Sequence, residues 1–282
     1  MTRFNKRKQT IWTYENGRPQ RRRDVLATEE PLEILLRAGE EQRTLAITMR
    51  TPGSDYDLAI GFLHNEGIIH GKDDFTGMTY CVDDNQQEYN SLRVQLKAAS
   101  FPDLHQLERH FFTNSACGVC GSTMLDDLRE RNIPALPPGP VIDPSLITSL
   151  PEKLRQSQDL FESTGGLHAA ALFDVDGNLL AVREDVGRHN ALDKLIGWGL
   201  LHDELPFHNR IVMVSGRASY ELLQKSYVAG VSVFCAVSAP SSLAVDVAQR
   251  FGMTLVGFLR GNRFNVYTGN QRIKAVERAL VN

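Results

Sequence analysis

The stretch "NRIVMVSGRASYELLQKSYVAGVSVFCAVSAPSSLAVDVAQRFGMTLVGFLRG", residues 209–261, decides the fold. Short β-branched runs ("RIVMV", "VSVFCAV", "TLVGFL") alternate in it with segments whose apolar residues recur at helical spacing ("SYELLQKSYV", "SLAVDVAQRF"). The pattern predicts strand, helix, strand, helix, strand, with "NQRIKAVERAL" as a closing helix. Near-continuous apolar strands joined by crossover helices imply a largely parallel sheet covered on both faces. Just upstream, "GLHAAALFDVDGNLLAVRED" places two apolar runs around an Asp-Gly-Asn turn, a hairpin signal, and "GRHNALDKLIGWGLL" follows as an amphipathic helix.

The N-terminal half has another rhythm. "PLEILLRAGE" and "RTLAITMR" are strand-length apolar segments around a glycine turn, "TPGSDYDLAIGFLHNEGII" reads as a turn and a short helix, and "MTYCVDD" with "NSLRVQLK" reads as a further hairpin. The expected organisation is a basic flexible tail (1–25), a smaller α+β subdomain (26–112), a connector (113–142) and a C-terminal α/β subdomain (143–282). Five prolines in "PALPPGPVIDPS" make the end of that connector stiff. The tail, with Arg21, Arg22 and Arg23, reads as solvated, with contact to a partner as the alternative.

Composition excludes several classes. With 282 residues, 42% hydrophobic and 23% charged, the chain can bury a large core or two subdomains and is not a disordered tail. A formal net charge of −3 gives no global attraction to nucleic acid or an anionic membrane. The polar, basic N-terminus holds no signal-peptide core and no later run is long and apolar enough for a transmembrane helix, so a cytoplasmic protein is expected. Four cysteines are too few for a disulfide scaffold.

Two of those cysteines, Cys117 and Cys120, form a glycine-flanked Cys-x-x-Cys in "FFTNSACGVCG", near the junction of the halves. Three chemistries compete for them. A zinc site needs three or four ligands, and there is no second Cys-x-x-Cys. The nucleobase-deaminase version of that site, H-x-E followed by P-C-x-x-C, is approached by His64-Asn65-Glu66, but Ala116 stands where proline is required. A dithiol redox pair is the second reading, since the helix-like "STMLDDLRERN" follows the motif and a helix N-terminus lowers a thiol pKa. The third is sulfur relay, in which an accessible thiolate carries sulfur as a persulfide while Gly118 and Gly121 give the loop freedom. Two inert cysteines would be the plain structural alternative. Cys81 and Cys235, inside apolar runs, read as core.

A second constellation gathers at predicted strand ends, where ligands bind in open α/β sheets. "EDVGRHNALDK" sets Asp185, Arg188, His189 and Asn190 at a helix start, "SGRASYE" sets Ser215, Gly216 and Arg217 after a strand, and "GFLRGNRFNVYTG" places Arg260 and Arg263 around Gly261. Two arginines around a glycine suit phosphate oxygens, which guanidinium groups grip in bidentate fashion while the backbone approaches closely. Capping and surface ion pairs are the structural alternatives for each residue alone.

Taken in order, "ACGVCG", "GGLHAAAL", "REDVGRHNALDKLIG", "SGRASYE", "SAPSSLAVD" and "FLRGNRFNVYT" resemble the formate dehydrogenase accessory sulfurtransferase family over most of the chain after its first residues. The resemblance implies a cytoplasmic homodimer whose C-terminal half is a cytidine-deaminase-like three-layer α/β fold with a mixed sheet, but which is no deaminase; with only two clustered cysteines and no proline before them, no tightly held metal is expected. It implies a sulfurtransferase that takes sulfur from a cysteine desulfurase and passes it to the molybdenum bis(guanine dinucleotide) cofactor required by formate dehydrogenase. Cys117 then falls on the persulfide position and Cys120 on an assisting one. The cofactor-binding segment falls on Phe258, Leu259, Arg260, Gly261, Asn262 and Arg263. Assigning Arg188, His189 and Arg217 to the same pocket rests on strand-end position alone.

Overall fold

A computed structural model of the protein describes residues 5–81, 89–101, 128 and 133–275. In chain order its strands are β1 (Lys6–Glu15), β2 (Arg18–Ala27), β3 (Glu30–Ala38), β4 (Glu41–Arg50), β5 (Phe75–Tyr80), β6 (Ser91–Leu96), β7 (His168–Phe173), β8 (Leu179–Asp185), β9 (Ile211–Val214), β10 (Val233–Ala236), β11 (Thr254–Arg260) and β12 (Arg263–Thr268). The α-helices are α1 (Asp55–Asn65), α2 (Pro144–Gln156), α3 (Asp159–Thr164), α4 (Arg188–Leu201), α5 (Tyr220–Val228) and α6 (Ser242–Arg250). The chain falls into two units that it visits in turn. One comprises Met1–Thr123, Gln158–Ala169 and Arg183–Glu204, the other Met124–Ser157, Ala170–Val182 and Leu205–Asn282.

In the first unit, β1 and β2 pair antiparallel as a separate two-stranded ribbon, where the sequence suggested a flexible tail. Asn16 and Gly17 join them with φ of 51° and 76°. Two positive φ values in a two-residue connection fit the twist of a hairpin, which is why Asn-Gly is favoured there. The expected strands β3 to β6 form a four-stranded sheet in the order β4-β3-β6-β5, with β3 parallel to β6 and the other neighbours antiparallel. Alternate residues of β3, Leu32, Ile34, Leu36 and Ala38, are buried, as the period of a strand requires.

Helices α1 and α4 meet through glycine. A Cβ on Gly61 would lie 1.8 Å from the Asp193 carbonyl oxygen, and one on Gly197 would lie 1.8 Å from that of Asp57. Backbone therefore touches backbone where the helices cross. Sequence spacing suggests an amphipathic α4, yet Asn190 through Gly197 are all buried. The polar residues are tolerated inside because they are partnered: the Asn65 amide donates to Asp193 at 2.6 Å, and Lys194 pairs with Asp185 at 2.7 Å.

The second unit is built on a six-stranded sheet in the order β12-β11-β10-β9-β7-β8. Strands β9, β10 and β11 are parallel, while β12 and β7 run antiparallel to β11 and β9. The sheet is thus mixed, and only its centre matches the parallel reading. The difference arises at Gly261-Asn262, where the chain turns back at once and adds β12 without a crossover helix. Phe234 and Cys235 on β10 are fully buried, as are Val212 and Met213 on β9 and Leu255 and Val256 on β11. Arg272 ties the proline-rich segment to this unit by donating to the carbonyls of Pro137 and Pro138 at 3.1 and 2.5 Å and to that of Gly252 at 2.8 Å. Of the expected closing helix, Asn270–Arg272 form a 3-10 turn and residues 276–282 lie outside the described residues. Among the described residues no helix is long and apolar enough to cross a membrane.

Candidate functional site

The loops that leave β9 and β10 lie side by side. Ser238 N–H donates to the Gly216 carbonyl at 3.2 Å, Ala218 N–H to that of Ala239 at 3.2 Å, and Ser241 N–H to that of Ala218 at 2.9 Å. Phe258 N–H on β11 donates to the Ser238 carbonyl at 3.1 Å, so three consecutive strand ends are laced together by backbone. Arg217 is exposed on the first of these loops. An open parallel sheet offers its ligand-binding ground at such carboxyl ends.

Two residues shape the β11 part of this edge. A Cβ on Gly257 would sit 3.0 Å from the Tyr267 ring, 3.1 Å from Pro240 Cδ and 3.3 Å from the Ser238 carbonyl oxygen, so a side chain there would press these neighbours outward by a few tenths of an ångström. Phe258 follows with φ 50°, a left-handed conformation that is strained for a bulky side chain. The strand register slips between Gly257 and Arg260, turning Phe258 outward to 41% exposure while Leu259 is fully buried. The sequence signal for this feature is a glycine inside an apolar strand, and the glycine marks the bulge.

Beyond the bulge, Arg260 and Arg263 are direct cross-strand partners on either side of Gly261 and Asn262. Gly261 has φ 53°, and all four residues are exposed. Like charges directly opposite each other repel. Among the described residues no carboxylate pairs with either arginine, so the hairpin end offers two uncompensated guanidinium groups to an anion. The six residues Phe258 to Arg263 therefore divide by role: Leu259 packs in the core, while Phe258 and the two arginines face outward.

The other strand-end cluster does different work. Asp185 is fully buried and accepts from Thr51 N–H at 3.0 Å, Gly187 N–H at 2.8 Å and the Asn190 amide at 3.3 Å, besides its ion pair with Lys194. Asn190 also donates to the Met49 carbonyl at 2.8 Å, and Lys194 to that of Thr51 at 2.8 Å. Asp185 and Asn190 thus pin the end of β4 to the start of α4. Arg188 has its Nε shielded, with no hydrogen-bond partner among the described residues. Arg188 and His189 belong to the first unit and Arg217 to the second.

His64, tempting in the sequence as part of H-x-E, lies in the last turn of α1, where burial pushes its imidazole pKa down, the Ile69 backbone offsetting part of the effect and His70 adding to it. Glu66 caps the C-terminus of that helix. Cys235 is fully buried and burial pushes its thiol up to about 12, as suits an inert core cysteine. Cys81 is half-buried. Cys117 and Cys120 lie outside the described residues.

The FdhD/NarQ family model matches residues 27–274. The sulfur carrier protein FdhD of Nocardia farcinica is 50% identical over 260 residues, covering 91% of this chain and 90% of that protein. That of Streptomyces coelicolor is 48% identical over 279 residues, covering 97% of each. Among solved structures, a protein from Desulfotalea psychrophila provisionally described as a formate dehydrogenase accessory protein superposes with a TM-score of 0.74 at 25% identity, covering 95% of this chain and 99% of that one. A family model that spans nearly the whole sequence, and relatives about half identical along nine-tenths of it, place this chain in the FdhD/NarQ family.

Proposed function

We propose that the protein is a sulfur carrier serving formate dehydrogenase, with Cys117 as the residue that bears the sulfur. The observation that carries this reading is the close identity, along at least nine-tenths of the chain, to proteins named as sulfur carriers. In the loading step the Cys117 thiolate attacks the terminal sulfur of a cysteine desulfurase persulfide. The donor's S–S bond breaks, the donor cysteine leaves as a thiolate, and Cys117 becomes the persulfide. Cys120 assists the transfer. The acceptor is the molybdenum bis(guanine dinucleotide) cofactor, bound as substrate along Phe258–Arg263, where Arg260 and Arg263 hold its pyrophosphate and the exposed Phe258 ring lies against a base. A homodimer in the cytoplasm, with the cytidine-deaminase-like fold of the resemblance, completes the proposal.

Intact-mass analysis after incubation with desulfurase and cysteine tests the loading step. One added sulfur should appear on the wild type and be absent from Cys117→Ala, while Cys120→Ala should keep part of it. Equal and complete loss in both variants, with a Cys117–Cys120 disulfide forming in the wild type, would favour dithiol redox chemistry instead. The acceptor site is tested by calorimetry with guanosine diphosphate, whose affinity should fall by about 1.5–3 kcal/mol in Arg260→Ala or Arg263→Ala, the range for hydrogen bonds to charged groups. Sulfur loading should be untouched in these two variants. Unchanged nucleotide affinity would move the site to Arg217 and the loops after β9 and β10.

A further inference from the structure

The β1–β2 ribbon has no part in the chemistry above, and its two faces differ. Cross-strand partners in an antiparallel pair share a face, and successive residues alternate. The register Lys8↔Val25, Thr10↔Arg23, Trp12↔Arg21 and Tyr14↔Pro19 therefore puts Lys8, Arg21 and Arg23 on one face with Trp12 and Tyr14. The two aromatics are 62% and 72% exposed, and the Arg21 guanidinium lies 5.8 Å from the Trp12 ring centre. Both acidic residues of the ribbon, Glu15 and Asp24, fall on the opposite face, where Glu15 meets Arg22 at 3.6 Å. One face is thus cationic and aromatic with no carboxylate at all.

Charge is also unevenly distributed along the chain. Residues 6–27 hold seven Lys and Arg against two acidic residues, a formal +5 in a chain that totals −3, so the rest of the sequence carries −8. A ribbon of two strands is marginal in water by itself, and among the described residues neither strand pairs with a third. Strand β2 also approaches α3, so among the described residues it is the ten-residue outer edge of β1 that runs beside the cationic face without a strand partner.

We propose that this face of the ribbon is a docking surface for an acidic, extended segment of a partner protein. Exposed Trp, Tyr and Arg are the residues that dominate protein interfaces. The β1 edge can take up a strand by backbone pairing, which a protein supplies and a nucleic acid does not. Size argues the same way: a short acidic segment needs to meet only the +5 ribbon, whereas a long polyanion would also meet the −8 remainder. Arg21 and Arg23 then belong to a recognition surface and are not simply solvated.

The test uses the full-length protein with poly-L-glutamate as the probe, and a deoxythymidine oligonucleotide of equal charge beside it. Polyglutamate should bind, shift the fluorescence of Trp12, and weaken as salt is raised toward physiological strength. Changing Lys8, Arg21 and Arg23 together to Glu, or more mildly to Gln, should weaken it about tenfold or more, as expected for several exposed ion pairs lost at once. The opposite-face control, Arg7→Glu with Arg18→Glu, should change affinity by much less. Circular dichroism of each variant separates lost binding from lost folding, and the Gln variant carries the test should the Glu variant not fold. Tighter binding to the oligonucleotide than to polyglutamate would overturn the proposal, as would equal losses from the two faces or no binding at low salt.

Discussion

Lys194 and Asp185 show how one buried pair can hold a whole junction. Lys194 reaches the Asp185 carboxylate at 2.7 Å with both side chains almost fully buried, and its remaining protons go to the carbonyls of Thr51 and Glu184. Removing charges from water costs several kcal/mol per ion, so such a pair persists only where further hydrogen bonds complete it. Asp185 has three more donors, which is why the pair is tolerated. Lys194→Met would leave that carboxylate buried and uncompensated. It should cost about 3–5 kcal/mol, read as a lowered urea midpoint. A variant as stable as the wild type would mean that the pair is solvated and the junction does not depend on it.

The crossing of α1 and α4 depends on two glycines that the sequence presents only as breaks in apolar segments. In Gly61→Ala the new Cβ would have to find room 1.8 Å from the Asp193 carbonyl oxygen and 2.8 Å from the Gly197 amide nitrogen, both of them backbone. Neither can give way without moving a helix. We expect a loss of about 3 kcal/mol or more, above the usual range for overpacking, because the clash is with backbone and not with a flexible side chain. Gly77, in β5, is the control: nothing lies within 4 Å of a Cβ there. Gly77→Ala should be neutral or stabilising by up to about 1 kcal/mol, since it removes the entropic penalty of glycine in a strand. Thermal melts of the two variants side by side should separate them widely, and similar melting temperatures would show that the helices re-space at little cost.

Over the whole molecule, what could be read from sequence was local. Strands β3 and β4, helix α1, the β5–β6 hairpin and the β9-to-β11 alternation all follow from periodicity and turns, because those signals lie within a few residues of one another. Three features escaped for physical reasons. The β1–β2 ribbon announces itself in Asn16-Gly17, but its strands carry charges where a packed strand would alternate apolar and polar. Helix α4 shares a unit with α1 although more than a hundred residues separate them, a pairing visible only when Gly61 meets Gly197. The β11 bulge at Phe258 sets which of the six residues from Phe258 to Arg263 face outward, and no pattern of types predicts a left-handed phenylalanine. The alternation from β9 to β11 was the part best read, and Cys235 on β10 supplies a way to watch it. Its thiol is fully buried and pushed up to about 12 from an ordinary 9.0, so the folded protein keeps a proton that the unfolded chain releases. Stability from this group is complete below pH 9 and declines as pH rises toward 12, at about 1.4 kcal/mol per pH unit. Iodoacetamide at pH 8 should therefore leave Cys235 unmodified in the native protein and label it beyond the urea transition, as read by peptide mapping. Cys235→Ala, compared with the wild type in urea melts from pH 8 to 10.5, should lose stability less steeply with pH. Equal slopes, or labelling of the native thiol, would mean that β10 is reached by solvent without unfolding of the sheet around it.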